Sequence, residues 1–389
     1  MLTNQNEHSL LNFAKTKLLD GPSTLDGKNH SGALACLSVR FALEFDLSDR
    51  TADDVIRTQV ERHMRLCLEA TAGLDRFITI AGSEPILAEA AYQIIEQTKS
   101  NPVQHLANHS DLNCIDRGRR GELVALLLIM RAFDAARGSN RWASVDDFMK
   151  QLLPKKHYDE LCGSRPIFSR GEKKTFKETF KGHGMWFNHV IKIEEKKMVS
   201  AKHLWKFITR GAMVLCATNQ GGIDIVLPIC ETEKALSPET VTATFVQVKN
   251  DEEFGLKIKK EAFDKMNTIS ERMFPDGVDA KPVLRVVFAL ASKEAGVRFP
   301  DQPSRERHYV DKFTAFDIWI AGLSAAALNG IDKDLEAYEK LLDRSLRPHD
   351  AFILNDEKGL DETTRKVRED IRRRMAPLIM EDASHNHIH

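Results

Sequence analysis

An α/β sandwich is the fold class this sequence predicts, and three observations predict it. Helix-periodic and short apolar segments follow one another between residues 111 and 330 in the order helix, strands, helix, strand. The stretch GRRGELVALLLIMRAFDAARG, 118–138, is apolar nearly all round, as a helix inside a domain is. The 389 residues are 42% hydrophobic and 29% charged, enough for a sizeable core.

The elements follow in order. Residues 1–110 read as a mainly helical region. In 46–74, capping residues precede Val55, Ile56, Val60, Met64 and Leu68 near helical spacing, which predicts one helix. ALACLSVRFALEF, 33–45, fits strand or helix equally. SEPILAEAAYQIIEQ, 83–97, has Ser83 and Pro85 where a helix begins. NPVQHLANHSDLN, 101–113, is polar and turn-rich and reads as a linker. The predicted core, 111–330, holds the 118–138 helix, a short helix at 144–154, a strand at 185–193 and the helix SAKHLWKFITRG. AMVLCAT, GIDIVLPI and ATFVQVKN are strand candidates. A basic helix at 257–273 and the apolar run VLRVVFALAS complete that core. A charged helical tail, 331–389, ends the chain.

Composition narrows the function classes. No apolar stretch approaches the length of about 18 residues that a membrane helix needs, and no secretory leader is visible. The six cysteines are scattered without a C-x-x-C pair, as in an intracellular protein, nuclear or cytoplasmic, with reduced thiols. Residues 1–110 carry 10 Lys and Arg against 14 Asp and Glu, a net of −4. Residues 151–210 carry 14 against 6, a net of +8. Such a block is either a polyanion-binding face or a solvated surface.

The residues that point to chemistry sit inside apolar runs. Asp224 interrupts GIDIVLPI, and Gln247 and Lys249 interrupt TFVQVKN. An unpaired carboxylate among isoleucines is costly, so Asp224 needs a partner. Residues two apart on a strand share a face, so Gln247 and Lys249 point together while Val246 and Val248 point into the core. If the two strands are neighbours, Asp224 joins that patch. Glu122, at the start of the 118–138 helix, is a further acid for it or a carboxylate on the helix dipole.

The order Glu122, Asp224, Gln247-Val248-Lys249 resembles the PD-(D/E)XK nuclease superfamily, over roughly 111–330. The 224–249 stretch is also similar to uncharacterised proteins of mushroom-forming fungi. The resemblance implies a restriction-endonuclease-like sandwich and a Mg²⁺-dependent endonuclease acting on DNA, with Mn²⁺ as a substitute. It implies Glu122, Asp224, Gln247 and the Val248 carbonyl as cation ligands and Lys249 as the catalytic lysine. The family pattern has an acid where this chain has Gln247, which weakens cation binding and leaves open a nuclease-fold protein that only binds nucleic acid or a protein. Arg117, Arg119 and Arg120, together with Lys173, Lys174 and Lys177 beside Phe176 and Phe180, are candidates for phosphate contacts. His189 and His203 are structural residues or general bases. A homodimer through the N-terminal helical region is a further expectation.

Overall fold

The computed structural model describes residues 4–21, 24–25, 29–43, 45, 50–70, 77–98, 101–109, 120–138, 140–166, 174–193, 196–216, 222–251, 253–267, 273–274, 281–300 and 313–346. Residues 1–345 form one compact unit, and 346–389 are a second.

The first region is helical, with α1 (Asn4–Leu19), α2 (His30–Phe41), α3 (Arg50–Arg62), α4 (Pro85–Thr98) and α5 (Pro102–His109). It also holds a hairpin, β1 (Arg65–Ala70) with β2 (Phe77–Ala81), that sequence periodicity reads as helix. The chain leaves α3 through Met64, whose φ of 59° ends the helix. Met64 and Leu68, placed at helical spacing by the sequence, are both exposed, Met64 at the break and Leu68 on β1. Arg65 ties the hairpin down, donating to Ser38 Oγ at 2.6 Å, Thr79 Oγ1 at 2.7 Å and the Leu43 carbonyl at 3.0 Å. Within the expected 101–113 linker, residues 102–109 are helical instead, and 110–113 lie outside the described residues. Asn101 Oδ1 accepts the Val103 N–H at 3.1 Å, Pro102 opens α5, and Val103, Leu106 and Ala107 bury its inner face.

Next come α6 (Arg120–Arg137), β3 (Ala143–Ser144), α7 (Val145–Leu152), α8 (Lys155–Gly163) and α9 (Phe176–Thr179). The expected 185–193 strand is two, β4 (His183–Met185) and β5 (His189–Lys192), followed by α10 (Ala201–Thr209) and β6 (Ala212–Leu215). Asn188 breaks the run between them, its N–H donating to the Gly211 carbonyl at 2.8 Å. The remaining elements are β7 (Ile225–Glu231), β8 (Val241–Lys249), α11 (Lys260–Asp264), β9 (Val283–Ala289), β10 (Gly296–Arg298), β11 (Ala315–Ala321) and α12 (Leu335–Leu346).

Among the described residues, nine strands form one mixed sheet running β10-β11-β9-β8-β7-β4-β3, with β5 and β6 branching from β7. β8, β9 and β11 are parallel and buried on both faces, which accounts for the near-continuous apolar runs of β9 and β11. One face packs on α10 and α11 through Phe245, Val287 and Trp319. Phe316 lies on the other, against Phe176 and Phe180. The architecture is thus α/β, with helices over a mixed sheet. Of the basic helix expected over 257–273, the described residues form α11, and Arg285 Nη1 donates to the Phe263 carbonyl in its last turn at 2.9 Å; residues 268–272 lie outside the described residues.

Candidate functional site

The site lies where β7 begins and β8 ends. β7 and β8 are antiparallel neighbours whose pairing begins with Ile225 opposite Val246, and Asp224 is the residue just before it. Two glycines permit the surroundings. Gly222 has φ of 100°, and a Cβ there would lie 2.5 Å from Lys265 Cβ and 3.0 Å from the Lys265 carbonyl oxygen. Gly121, in the first turn of α6, has no room for a Cβ because the Asn250 amide fills that space. Gly222→Ala is therefore expected to cost roughly 1–3 kcal/mol, as both φ and backbone contact oppose it. Denaturant unfolding measures this, and an unchanged midpoint would remove the packing of the turn on Lys265.

The backbone of Asp224 joins three strands. Its N–H donates to the Val246 carbonyl at 2.9 Å, and its carbonyl accepts the Cys216 N–H at 2.8 Å. Its carboxylate Oδ2 accepts the Val248 N–H at 2.6 Å, so the side chain extends the ladder where backbone pairing stops. Burial pushes the Asp224 carboxyl above the ordinary aspartate range, while the Val248 N–H and the Lys249 charge pull the other way. A residue's N–H and C=O project to the same edge of a strand, so the Val248 carbonyl also faces the Asp224 side.

Gln247 is 2% exposed, and its Oε1 is buried without a hydrogen-bond partner among the described residues. Leaving such an acceptor unpaired carries a desolvation cost. Lys249 is half-buried, with Nζ 5.5 Å from the centre of the Phe254 ring. That ring stacks on Trp319 at 6.5 Å, and Trp319 Nε1 donates to the Gly255 carbonyl at 2.9 Å. Lys259 Nζ sits 3.9 Å from the same ring. Phe254 was not legible as a partner of Lys249, because only the return of the 253–258 segment over the sheet brings it there.

Asp224, Gln247 and Lys249 are thus gathered at one end of the sheet. Glu122 arrives differently. The Gly121–Asn250 contact brings the first turn of α6 to the end of β8. The core cluster on the Gln247 and Lys249 side contains residues of α10 and α11 and none of α6. α6, with Glu122 in its first turn, therefore belongs to the opposite layer. Val248 is a correction. It is half-exposed rather than core, since β7 has ended beside it, whereas Gln247 is the buried residue.

Arg117, Arg119 and Lys173 lie outside the described residues, as does the side chain of Arg120. Lys174 and Lys177 are exposed, but Phe176 and Phe180 are buried against Phe316 and are closed to base stacking. His189 is structural: its ring bonds Ser83 Oγ at 2.9 Å and Asn188 Oδ1 at 2.9 Å, and burial with the Arg210 and Arg40 charges pushes it down to about 4. His203 bonds Ser200 Oγ at 2.9 Å.

Among the described residues, no group of three or more His, Cys, Asp or Glu could hold a metal ion. Asp224, Gln247 and the Val248 carbonyl offer hard oxygen donors of the kind Mg²⁺ takes, with a single formal charge. The orphaned Gln247 oxygen and the raised Asp224 carboxyl are both conditions that a cation would relieve.

A mixed-sheet α/β protein with polar groups gathered at the ends of β7 and β8 is the class that fold and site define. Residues 25–271 match DUF8736, a domain of unknown function, and the chain belongs to that family. No curated protein and no solved structure matches it. Among the described residues, no helix is long and apolar enough to cross a membrane.

Proposed function

We propose that the chain is a Mg²⁺-dependent phosphodiester hydrolase, an endonuclease acting on nucleic acid and in the first place DNA, with Mn²⁺ as an alternative ion. The observation that carries this reading is the orphaned Gln247 oxygen on β8 beside a half-buried Asp224 carboxylate that accepts the Val248 N–H, with Lys249 two residues further along the strand. Asp224, Gln247 and the Val248 carbonyl would hold the ion, with Glu122 reaching it around the end of β8. A bound ion would supply a Lewis acid and an activated water. The Val248 N–H fixes the orientation of Asp224. Lys249, its Nζ over the Phe254 ring, would offer a compact positive charge to the phosphate as negative charge develops there.

A second reading, a nuclease-fold protein that binds nucleic acid or a protein without hydrolysis, is favoured by the neutral Gln247 and by the placement of α6 in the other layer. Calorimetric titration with Mn²⁺ and Mg²⁺ separates the two. The hydrolase reading expects binding to the unaltered chain, and Gln247→Glu tightens it by about tenfold or more because a charge is restored. If neither protein binds either ion, the non-hydrolytic reading replaces the first.

A further inference from the structure

The basic block of the sequence includes one helix, α10, whose outer side carries lysines. Ala201, Leu204, Phe207 and Ile208 bury the inner side of α10. Lys202 and Lys206 are exposed at i and i+4, and Arg210 continues the line at the end of the helix, exposed but hydrogen-bonded to the Ser83 hydroxyl and carbonyl. At about 1.5 Å per residue this line spans roughly 12 Å. The sequence has no Asp or Glu between Lys196 and Asp224. Neither Lys202 nor Lys206 makes an ion pair among the described residues. Lys206 in the last turn and Arg210 at the C-cap complement the helix dipole, whereas Lys202, in the first turn, opposes it.

Its direction is set by the fold. α10 ends at Thr209, and Arg210 and Gly211, with φ of 62°, return the chain as β6 from Ala212. Helix and strand therefore run in opposite directions, and α10 packs on β6, β7 and β8. β6 ends beside the site, with Leu215 opposite Ile225 and the Cys216 N–H on the Asp224 carbonyl. The Lys202 end of α10 therefore lies toward Asp224, and α10 covers the same face onto which Gln247 and Lys249 project. A solvated charge stripe needs no such direction.

We propose that the outer face of α10 is a track for a nucleic-acid phosphate backbone, which Lys202, Lys206 and Arg210 lead across the sheet to Asp224 and Lys249. The occupant is a polyphosphate strand because the track is a row of spaced cations without acids, and its path ends on a lysine and a hard-oxygen cluster. The field there is strong enough to act on a neighbour. Besides burial, the charges of Lys206, Lys202 and Lys197 hold the His203 imidazole below its ordinary range. The track replaces Lys174 and Lys177, whose helix α9 packs through Phe176 on the face away from α10. It rests on the hydrolase reading for the identity of its occupant.

Fluorescence anisotropy in EDTA with a short labelled DNA duplex, over about 50–200 mM salt, tests it. Lys202→Ala with Lys206→Ala is expected to weaken binding and flatten the log–log salt slope by about 2, at roughly 0.9 per phosphate contact. Both side chains are exposed and alanine favours helix, and an unchanged thermal midpoint checks that the fold is intact. Lys174→Ala with Lys177→Ala is expected to leave affinity and slope alone. The track is overturned if the wild type fails to bind, if the Lys202/Lys206 pair changes nothing, or if the Lys174/Lys177 pair carries the effect. It is also overturned if phosphatidylserine vesicles bind more tightly than DNA and the Lys202/Lys206 pair abolishes that binding, which makes the face lipid-directed. Calorimetry with Mn²⁺ judges the hydrolase reading separately. DNA binding with the expected slope change but no ion binding keeps the track and removes hydrolysis. Ion binding without a slope change does the reverse.

Discussion

Replacing Asp317 by alanine is expected to cost the fold roughly 3–5 kcal/mol, the largest single-residue effect on stability argued for this chain. Asp317 and Arg285 face one another in the parallel register of β11 and β9, and both are almost entirely buried. Arg285 Nε meets Asp317 Oδ1 at 2.6 Å and Nη2 meets Oδ2 at 2.7 Å, a bidentate pair. Arg285 Nη1 also takes the Phe263 carbonyl, so it holds the end of α11 on the sheet. Alanine at 317 strands that guanidinium in an apolar core, where its desolvation is no longer offset. Asp317→Leu combined with Arg285→Met removes both charges and is expected to recover most of the loss. Denaturant midpoints for the two single variants and the pair form the cycle. If Asp317→Ala costs less than about 1 kcal/mol, water reaches the pair and the core is not closed as described.

This pair shows what the sequence can and cannot disclose. Arg285 in VLRVVFA and Asp317 in AFDIWIA are lone charges in apolar strands, the same local signal that singles out Asp224 and Lys249. In one case the two strands lie in register mid-sheet and the charges satisfy each other. In the other the pairing stops at Ile225, and the carboxylate meets a backbone N–H and the charge of a half-buried lysine, with an orphaned amide oxygen on the same strand. A single sequence carries the charges but not the register, and the register decides between a buried ion pair and a candidate site. The strands of the site were legible because β-branched runs bounded by polar turns leave little choice. Val248 was misassigned because alternation predicts faces only while a partner strand continues beside it. The layer occupied by α6 was not legible either, since an all-round apolar helix suits both faces of a sheet.

On the proposed hydrolase reading, Asp224→Asn is expected to cut metal-dependent cleavage sharply while making the ion-free protein more stable. Asparagine keeps an oxygen for the Val248 N–H, so the ladder extension survives, but the buried charge is gone. Burial raises the Asp224 carboxyl in the folded state, so the folded protein holds its proton to higher pH than the unfolded chain does. The sign of the pH effect follows. The Asp224 contribution is fully present below the ordinary value of 3.8 and is lost as pH rises through the raised folded value. Near neutral pH in EDTA, the ionised wild type therefore melts below the variant, by about 2 °C. Below pH 3.8 both side chains are neutral and the difference closes. With Mn²⁺ or Mg²⁺ the order reverses, because an ion bound only by the wild-type fold raises its midpoint. Turnover on plasmid DNA is expected to fall by about 10²-fold or more, the scale seen when one charge-stabilising group is removed from a hydrolytic centre. Scanning calorimetry with and without ion, run beside a plasmid assay, reads all of these. A variant that melts below the wild type in EDTA would make Asp224 a ladder cap whose charge the Val248 N–H and Lys249 already satisfy. A variant that cleaves as well as the wild type would place the chemistry elsewhere in the chain.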